Sequence, residues 1–168
     1  HSALDARTGE KKWAFNNKGS WVLTSPAVRD GKVYFATSDT ATVYALDARA
    51  GTPIFSVKFG GWPLFSSPAL AGGMLYIGSH QGKLIAIDLA SQKPAWTFET
   101  DASRQNGPAL TKPDGTPKYE AAFADNFYDS MVIGVQKMMS VGAIMSSPVV
   151  VNNVIYVGST DGVLYALM

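Results

Sequence analysis

Short runs of β-branched and aromatic residues recur along the chain, each ended by a glycine or aspartate turn before a longer element can form. Val33-Tyr34-Phe35, Leu75-Tyr76-Ile77 and Ile155-Tyr156-Val157 are the clearest, and Asp30-Gly31, Gly72-Gly73, Gly82, Asp161-Gly162 and Thr8-Gly9 punctuate them. Such runs between turn residues read as strands. Each aromatic run follows a Ser-Pro step, at Ser25-Pro26-Ala27-Val28, Ser67-Pro68-Ala69-Leu70 and Ser147-Pro148-Val149-Val150. A second landmark appears three times, from Ala3 to Trp13, from Ala45 to Phe55 and from Ala86 to Trp96. Its aspartates, Asp5, Asp47 and Asp88, lie 42 and then 41 residues apart.

A unit of this length with four short strands is one antiparallel blade, and blades recurring at about 40 to 45 residues mark a β-propeller. The expected fold is therefore all-β, built of four-stranded antiparallel blades, with Ser25, Ser67 and Ser147 opening the innermost strands. The chain holds the last two strands of one unit, two complete units and three strands of another. That is a partial ring of about three to four blades, so 1–168 is read as the C-terminal part of one propeller domain whose remaining blades lie upstream of residue 1.

One block breaks the rhythm. Ser67 and Ser147 are 80 residues apart, against 42 for Ser25 and Ser67. Residues 100–143 are expected to form an insertion between blades, with a hairpin about Pro113-Asp114-Gly115-Thr116 and a helix over about 127–139. Phe127, Met131, Val135 and Met138 share one helical face, and Gly142 is placed to stop the helix. Met131, Val135 and Met138 are expected to be buried against the propeller. The alternative is a diverged blade, since Gly107-Pro108-Ala109-Leu110 echoes the Ser-Pro motif and Pro108 lies 40 residues from both Pro68 and Pro148.

The segment Ala3, Asp5, Thr8, Gly9 and Trp13 resembles the tryptophan-docking motif of the quinoprotein-type (pyrroloquinoline-quinone-like) β-propeller repeat family. The second copy keeps Ala45, Asp47 and Gly51 but has Ala50 and Phe55. The third keeps Ala86, Asp88 and Trp96 but has Ser91 and Gln92. The resemblance implies that Trp13 and Trp96 tie adjacent blades together, and a large ring filling the wedge between twisted sheets gives the same expectation. The three aspartates are expected to serve turns and inter-strand hydrogen bonds.

Composition excludes several classes. Of 168 residues, 46% are hydrophobic and 16% charged, too apolar for disorder, yet no apolar run reaches the roughly 18 residues of a membrane span. With 14 basic and 13 acidic side chains and one basic pair, Lys11-Lys12, nucleic acid is not an expected partner. There is no cysteine, hence no disulfide or thiolate metal site. No nucleophile elbow, phosphate loop, calcium loop or zinc spacing is present. His1 is terminal, and His80 reads as a solvated turn residue.

Candidate chemistry gathers instead at the rim of the channel mouth, just before each innermost strand. Trp21 and Trp62, joined by Phe65 and by Asn126, Phe127 and Tyr128 with their flanking Asp125 and Asp129, form the expected platform for another protein or a ligand. The expected function is a noncatalytic, periplasmic or otherwise exported scaffold, resembling the lipoproteins of outer-membrane barrel assembly. Two alternatives follow from the family resemblance. One is a quinone-dependent alcohol or sugar dehydrogenase with pyrroloquinoline quinone and calcium, and the other is a sensor domain fused to an enzyme. No cofactor is expected, because the repeat offers no convergent set of oxygen ligands.

Overall fold

The turn residues decide where the chain reverses. In a computed structural model describing residues 1–121 and 126–168, Asp30-Gly31, Gly72-Gly73 and Asn152-Asn153 all have positive φ at both positions. This is the geometry of the two-residue hairpin whose twist matches that of its flanking strands. Each such hairpin joins the two inner strands of a blade: β3 (Ala27–Arg29) to β4 (Lys32–Ala36), β7 (Ala69–Ala71) to β8 (Met74–Gly78), and β11 (Val149–Val151) to β12 (Val154–Gly158).

The outer strands complete the blades. β5 (Thr42–Asp47) and β6 (Pro53–Lys58) make a four-stranded sheet in the order β3-β4-β5-β6. β9 (Lys83–Asp88) and β10 (Lys93–Glu99) complete β7-β8-β9-β10. A third sheet holds β11, β12 and β13 (Leu164–Leu167), and at the other end β1 (Ser2–Leu4) pairs with β2 (Lys11–Ala14). All pairings are antiparallel, as the repeat requires.

Blades bury their faces against each other. Tyr34, Val43 and Ala45 of one sheet meet Leu75, Ile77, Ile85 and Ile87 of the next in a single cluster. Leu84 meets Ile144, Ile155 and Val157 across the following interface. Removing such side chains from water contributes about 1.5–3 kcal/mol each, and this is the main term holding the blades side by side.

Serines mark the channel side. The Ser25 amide donates to Ser67 Oγ at 2.9 Å, and the Ser67 amide donates to Ser147 Oγ at 3.3 Å. The same contact spans 42 residues in one case and 80 in the other, so β7 and β11 are neighbouring inner strands and the excess chain loops out between them.

That excess begins at Thr100. Its side chain accepts from the Ser103 amide as the N-cap of α1 (Asp101–Leu110), and its hydroxyl reaches the Val141 and Gly142 carbonyls at 3.1 and 3.4 Å. Both stems of the insertion are thus closed on one buried side chain. Gly107 and Pro108, the echo of the Ser-Pro motif, lie inside α1. A diverged blade would need a strand there. The Lys112 amide donates to the Thr116 carbonyl at 2.8 Å, closing the hairpin, and α2 (Phe127–Met139) follows, with Asn126 Oδ1 capping the Asp129 amide at 2.9 Å.

The docking turns have one shared geometry. Asp5 accepts from the Arg7 and Thr8 amides at 3.0 Å each, Asp47 from Arg49 and Ala50 at 2.9 and 2.7 Å, and Asp88 from Ser91 at 2.6 Å. The Lys12 ammonium, with the Thr8 and Arg7 amides, holds the Asp5 carboxyl below the usual range. Ala3 pairs with Trp13 across the first hairpin. Trp13 then donates from Nε1 to the Ala48 carbonyl of the next blade at 3.0 Å, and its ring lies flat on Gly51, where a Cβ would fall 2.5 Å from it. Gly9 has the same positive φ and open space above it.

Trp96, expected to tie blades in the same way, is 41% exposed, and its ring meets Tyr76 of its own blade with centres 5.9 Å apart.

Candidate functional site

The rim is built by residues 62–65, which run extended above the inner strand and send alternate side chains to opposite sides. Trp62 and Leu64 turn down between blades, while Pro63 and Phe65 turn outward beneath α2. The backbone shows which rim positions are equivalent. The Ser38 amide donates to the Trp21 carbonyl, the His80 amide to Pro63 and the Thr160 amide to Ala143. Trp21 therefore matches Pro63, not Trp62.

This corrects the expected platform. Trp21 is 71% exposed, but Trp62 is 2% exposed, packed with Leu110, Val141 and Ala143 under the insertion. Trp21 lies five residues before Pro26 and Trp62 six before Pro68, and that single residue turns the second ring to the other face. Phe65 is half-buried against His80, with ring centres 5.1 Å apart. Asn126 is occupied in capping α2, and Phe127 and Tyr128 are exposed beside it. Asp125 lies outside the described residues.

His80 is a second correction. It is not solvated: its imidazole lines the space between Phe65 and α2, Nε2 is buried without a partner among the described residues, and burial pushes its pKa below the ordinary value. Without an acceptor nearby, the neutral ring is the stable form at neutral pH.

Helix α2 provides the third. Met131 and Val135 are 57% and 54% exposed, against the expectation of burial, and Met138 is half-buried. The one buried residue of α2 is Gly134, which lines the space shared with Pro63 and Phe65 of the rim. Between helix and rim runs a groove of about 300 Å³, lined by Pro63, Phe65, Tyr119, Met131, Val135 and Met138 among others. Chemically the groove offers carbon, thioether sulfur, one imidazole and the hydroxyl-bearing side chains of Ser130 and Tyr119. It can hold an apolar side chain, and no carboxylate is among its lining residues.

The insertion's capped helix α1 was also missed, although Thr100 before the acidic Asp101 is an N-terminal signal. Among the described residues, no group of three or more His, Cys, Asp or Glu could hold a metal ion, and no helix is long and apolar enough to cross a membrane.

A family model described as outer membrane protein assembly factor BamB matches residues 2–137. The chain belongs to this family. It is 26% identical to outer membrane protein assembly factor BamB of Moranella endobia (strain PCIT), over 98% of this chain and 49% of that protein. The chain thus spans about half the length of that relative. It is 31% identical to the serine/threonine-protein kinase AfsK of Streptomyces griseus, over 64% of this chain and 14% of the kinase. It is 30% identical to the dehydrogenase subunit of the quinone alcohol dehydrogenase of Komagataeibacter europaeus, over 67% of this chain and 18% of the subunit. Among solved structures, BamB from Moraxella catarrhalis superposes with a TM-score of 0.64 at 22% identity, covering 99% of this chain and 39% of that one. That likeness confirms the propeller fold.

Proposed function

We propose that this chain is part of a noncatalytic propeller scaffold of outer-membrane protein assembly, working on the periplasmic side, and that a partner protein seats in the groove between α2 and the rim at Pro63 and Phe65. Membership of the BamB family supports the first half. The observation that carries the second is the open apolar side of α2, where Met131 and Val135 stand in solvent beside a ready groove. A contiguous apolar patch is uncommon on a free surface and marks contact sites, and thioether side chains adapt to a partner's shape. Helix α2 carries a single cation, Lys137, so a lipid surface is a poor match.

The residues present do not fit the quinone chemistry of some relatives. Of Trp21 and Trp62, the two rings that could floor a flat cofactor, Trp62 is covered by the insertion and Trp21 stands exposed at the rim, and Asp5, Asp47 and Asp88 are committed to turns. Titration with pyrroloquinoline quinone and calcium is expected to give no saturable absorbance change. Saturable binding would move the choice to the dehydrogenase reading.

The partner site is tested by titrating the chain with a purified bacterial outer-membrane protein assembly complex. Binding is expected to weaken about tenfold or more in Met131→Asp/Val135→Asp, with Ser56→Asp on β6 as an unchanged control. Equal affinity in all three proteins, or no saturable binding by the unaltered chain, would refute the proposal.

A further inference from the structure

His80 and Tyr119 are the titratable side chains lining the groove under α2, and of the two only the imidazole changes charge near neutral pH. Two contacts fix it there. Its amide donates to the Pro63 carbonyl at 2.9 Å, and its ring meets Phe65 edge-on with centres 5.1 Å apart. Nε2 is enclosed and has no partner among the described residues, yet the residue as a whole is only half-buried.

Among the described residues, an imidazolium in this position has no counter-charge. The rim contributes Pro63 and Phe65, α2 contributes Ser130 and apolar side chains, and Tyr119 contributes a phenol that burial keeps protonated. The charged residues of these elements are not in the lining. On α2, Asp129 is bonded to Asn126 and Lys137 to the Ala121 carbonyl; beside Tyr119, Glu120 pairs with Lys112, and Lys118 lies outside the groove wall. Burial alone depresses the His80 pKa.

We propose that the groove accepts its partner only over a neutral His80, so that docking and protonation of this ring exclude one another. The proposal rests on the docking reading given above and adds the partner's chemistry: the residue that enters the groove is uncharged and apolar. Seated beside the ring, such a residue displaces the water that would solvate an imidazolium and returns no acceptor to it. The occupied groove therefore has a lower His80 pKa than the empty one, and binding expels a proton wherever the ring was charged. Affinity is full above the pKa of the free chain. It falls by up to about tenfold per pH unit as pH drops through that value, until the pKa of the bound form is reached. An acidic partner group would pair with the imidazolium and reverse the sign.

The test titrates the chain and its His80→Phe variant with the purified outer-membrane protein assembly complex at several values between about pH 5 and pH 8. The ratio of the two affinities cancels the complex's own titrations, and it is expected to fall on acidification with the slope given above. The fall should begin at the pKa read from the His80 ring-proton resonance of the free chain, assigned by its loss in His80→Phe. Calorimetry in two buffers of different ionisation enthalpy counts the protons directly in the unaltered chain, without the variant, and net release on binding is expected near that pKa. A pH-independent ratio with no proton release, while the unaltered chain still binds, would overturn the proposal and leave the docking reading standing. Affinity that rises on acidification, with proton uptake, would overturn it in favour of an acidic partner group. No saturable binding at about pH 8, where the ring is neutral, would refute the docking reading and the proposal together.

Discussion

Replacing Trp62 with Ala tests whether the insertion is part of the propeller core or an appendage. The ring is 2% exposed and lies among Leu110 of α1, Val141 and Ala143, so its removal leaves a cavity where both stems of the insertion meet the blade. Truncating a buried aromatic costs about 3–5 kcal/mol. In a domain of this size 1 kcal/mol moves the melting temperature by about 2–4 °C, so the expected drop is about 6–20 °C. Trp62→Phe also removes a buried N–H that has no partner, worth about 1–3 kcal/mol in desolvation, and this offsets part of the lost volume. The drop for Phe is therefore expected to be well below half that for Ala. Trp21→Ala, at the exposed rim position, is expected to change stability by less than about 0.5 kcal/mol. Scanning calorimetry of the four proteins decides the matter. The reasoning fails if Trp62→Ala melts with the unaltered chain, or if Trp21→Ala falls as far.

Other consequences follow from the same geometry. Gly51→Ala is expected to cost more than Gly9→Ala in urea unfolding, since both have positive φ but only Gly51 lies under the Trp13 ring; the difference isolates blade docking from backbone strain. For His80, whose folded pKa is depressed, the neutral form is the one the fold favours. Its contribution is fully present above the unfolded value of about 6.5 and is lost as pH falls through the folded pKa, so melting temperature should drop below that pH and the drop should shrink in His80→Phe. Thr100→Val removes the hydroxyl that caps α1 and holds the Val141 and Gly142 carbonyls. Faster amide exchange confined to 101–110 and 140–143 is expected, at a cost of about 1–3 kcal/mol.

The blades were readable because their turns are dictated by backbone chemistry. Asp30-Gly31 and Gly72-Gly73 can only reverse the chain, and Asp47 and Asp88 repeat the local bonding of Asp5, so three copies reinforce one reading. Helix α2 was readable from the spacing of Phe127, Met131, Val135 and Met138, with its ends at Asn126 and Met139. The partner of that apolar face was not readable. Periodicity shows that a face is apolar, whereas burial depends on what the fold brings beside it, and here Gly134 is buried and Met138 and Met139 pack partly buried against the Trp62 cluster while Met131 and Val135 stay exposed. His80 was misread because it sits in a turn, and what buries it is Phe65 and α2 brought over that turn; Trp62 was misplaced for a different reason. In an extended rim segment one residue of offset exchanges the inward and outward sides, and Trp21 and Trp62 stand five and six residues before Pro26 and Pro68. Helix α1 was hidden because Gly107-Pro108 fell on the repeat phase of a strand, although Thr100 and Asp101 supplied a capping signal.

The central claim, that the groove under α2 is where a partner seats, is met most directly by amide hydrogen exchange of the chain with and without the assembly complex. Slowed exchange is expected in 127–139, 63–65 and 79–81, with the outer strands β2, β6 and β10 unchanged. Protection on those outer strands with none on α2 would contradict it.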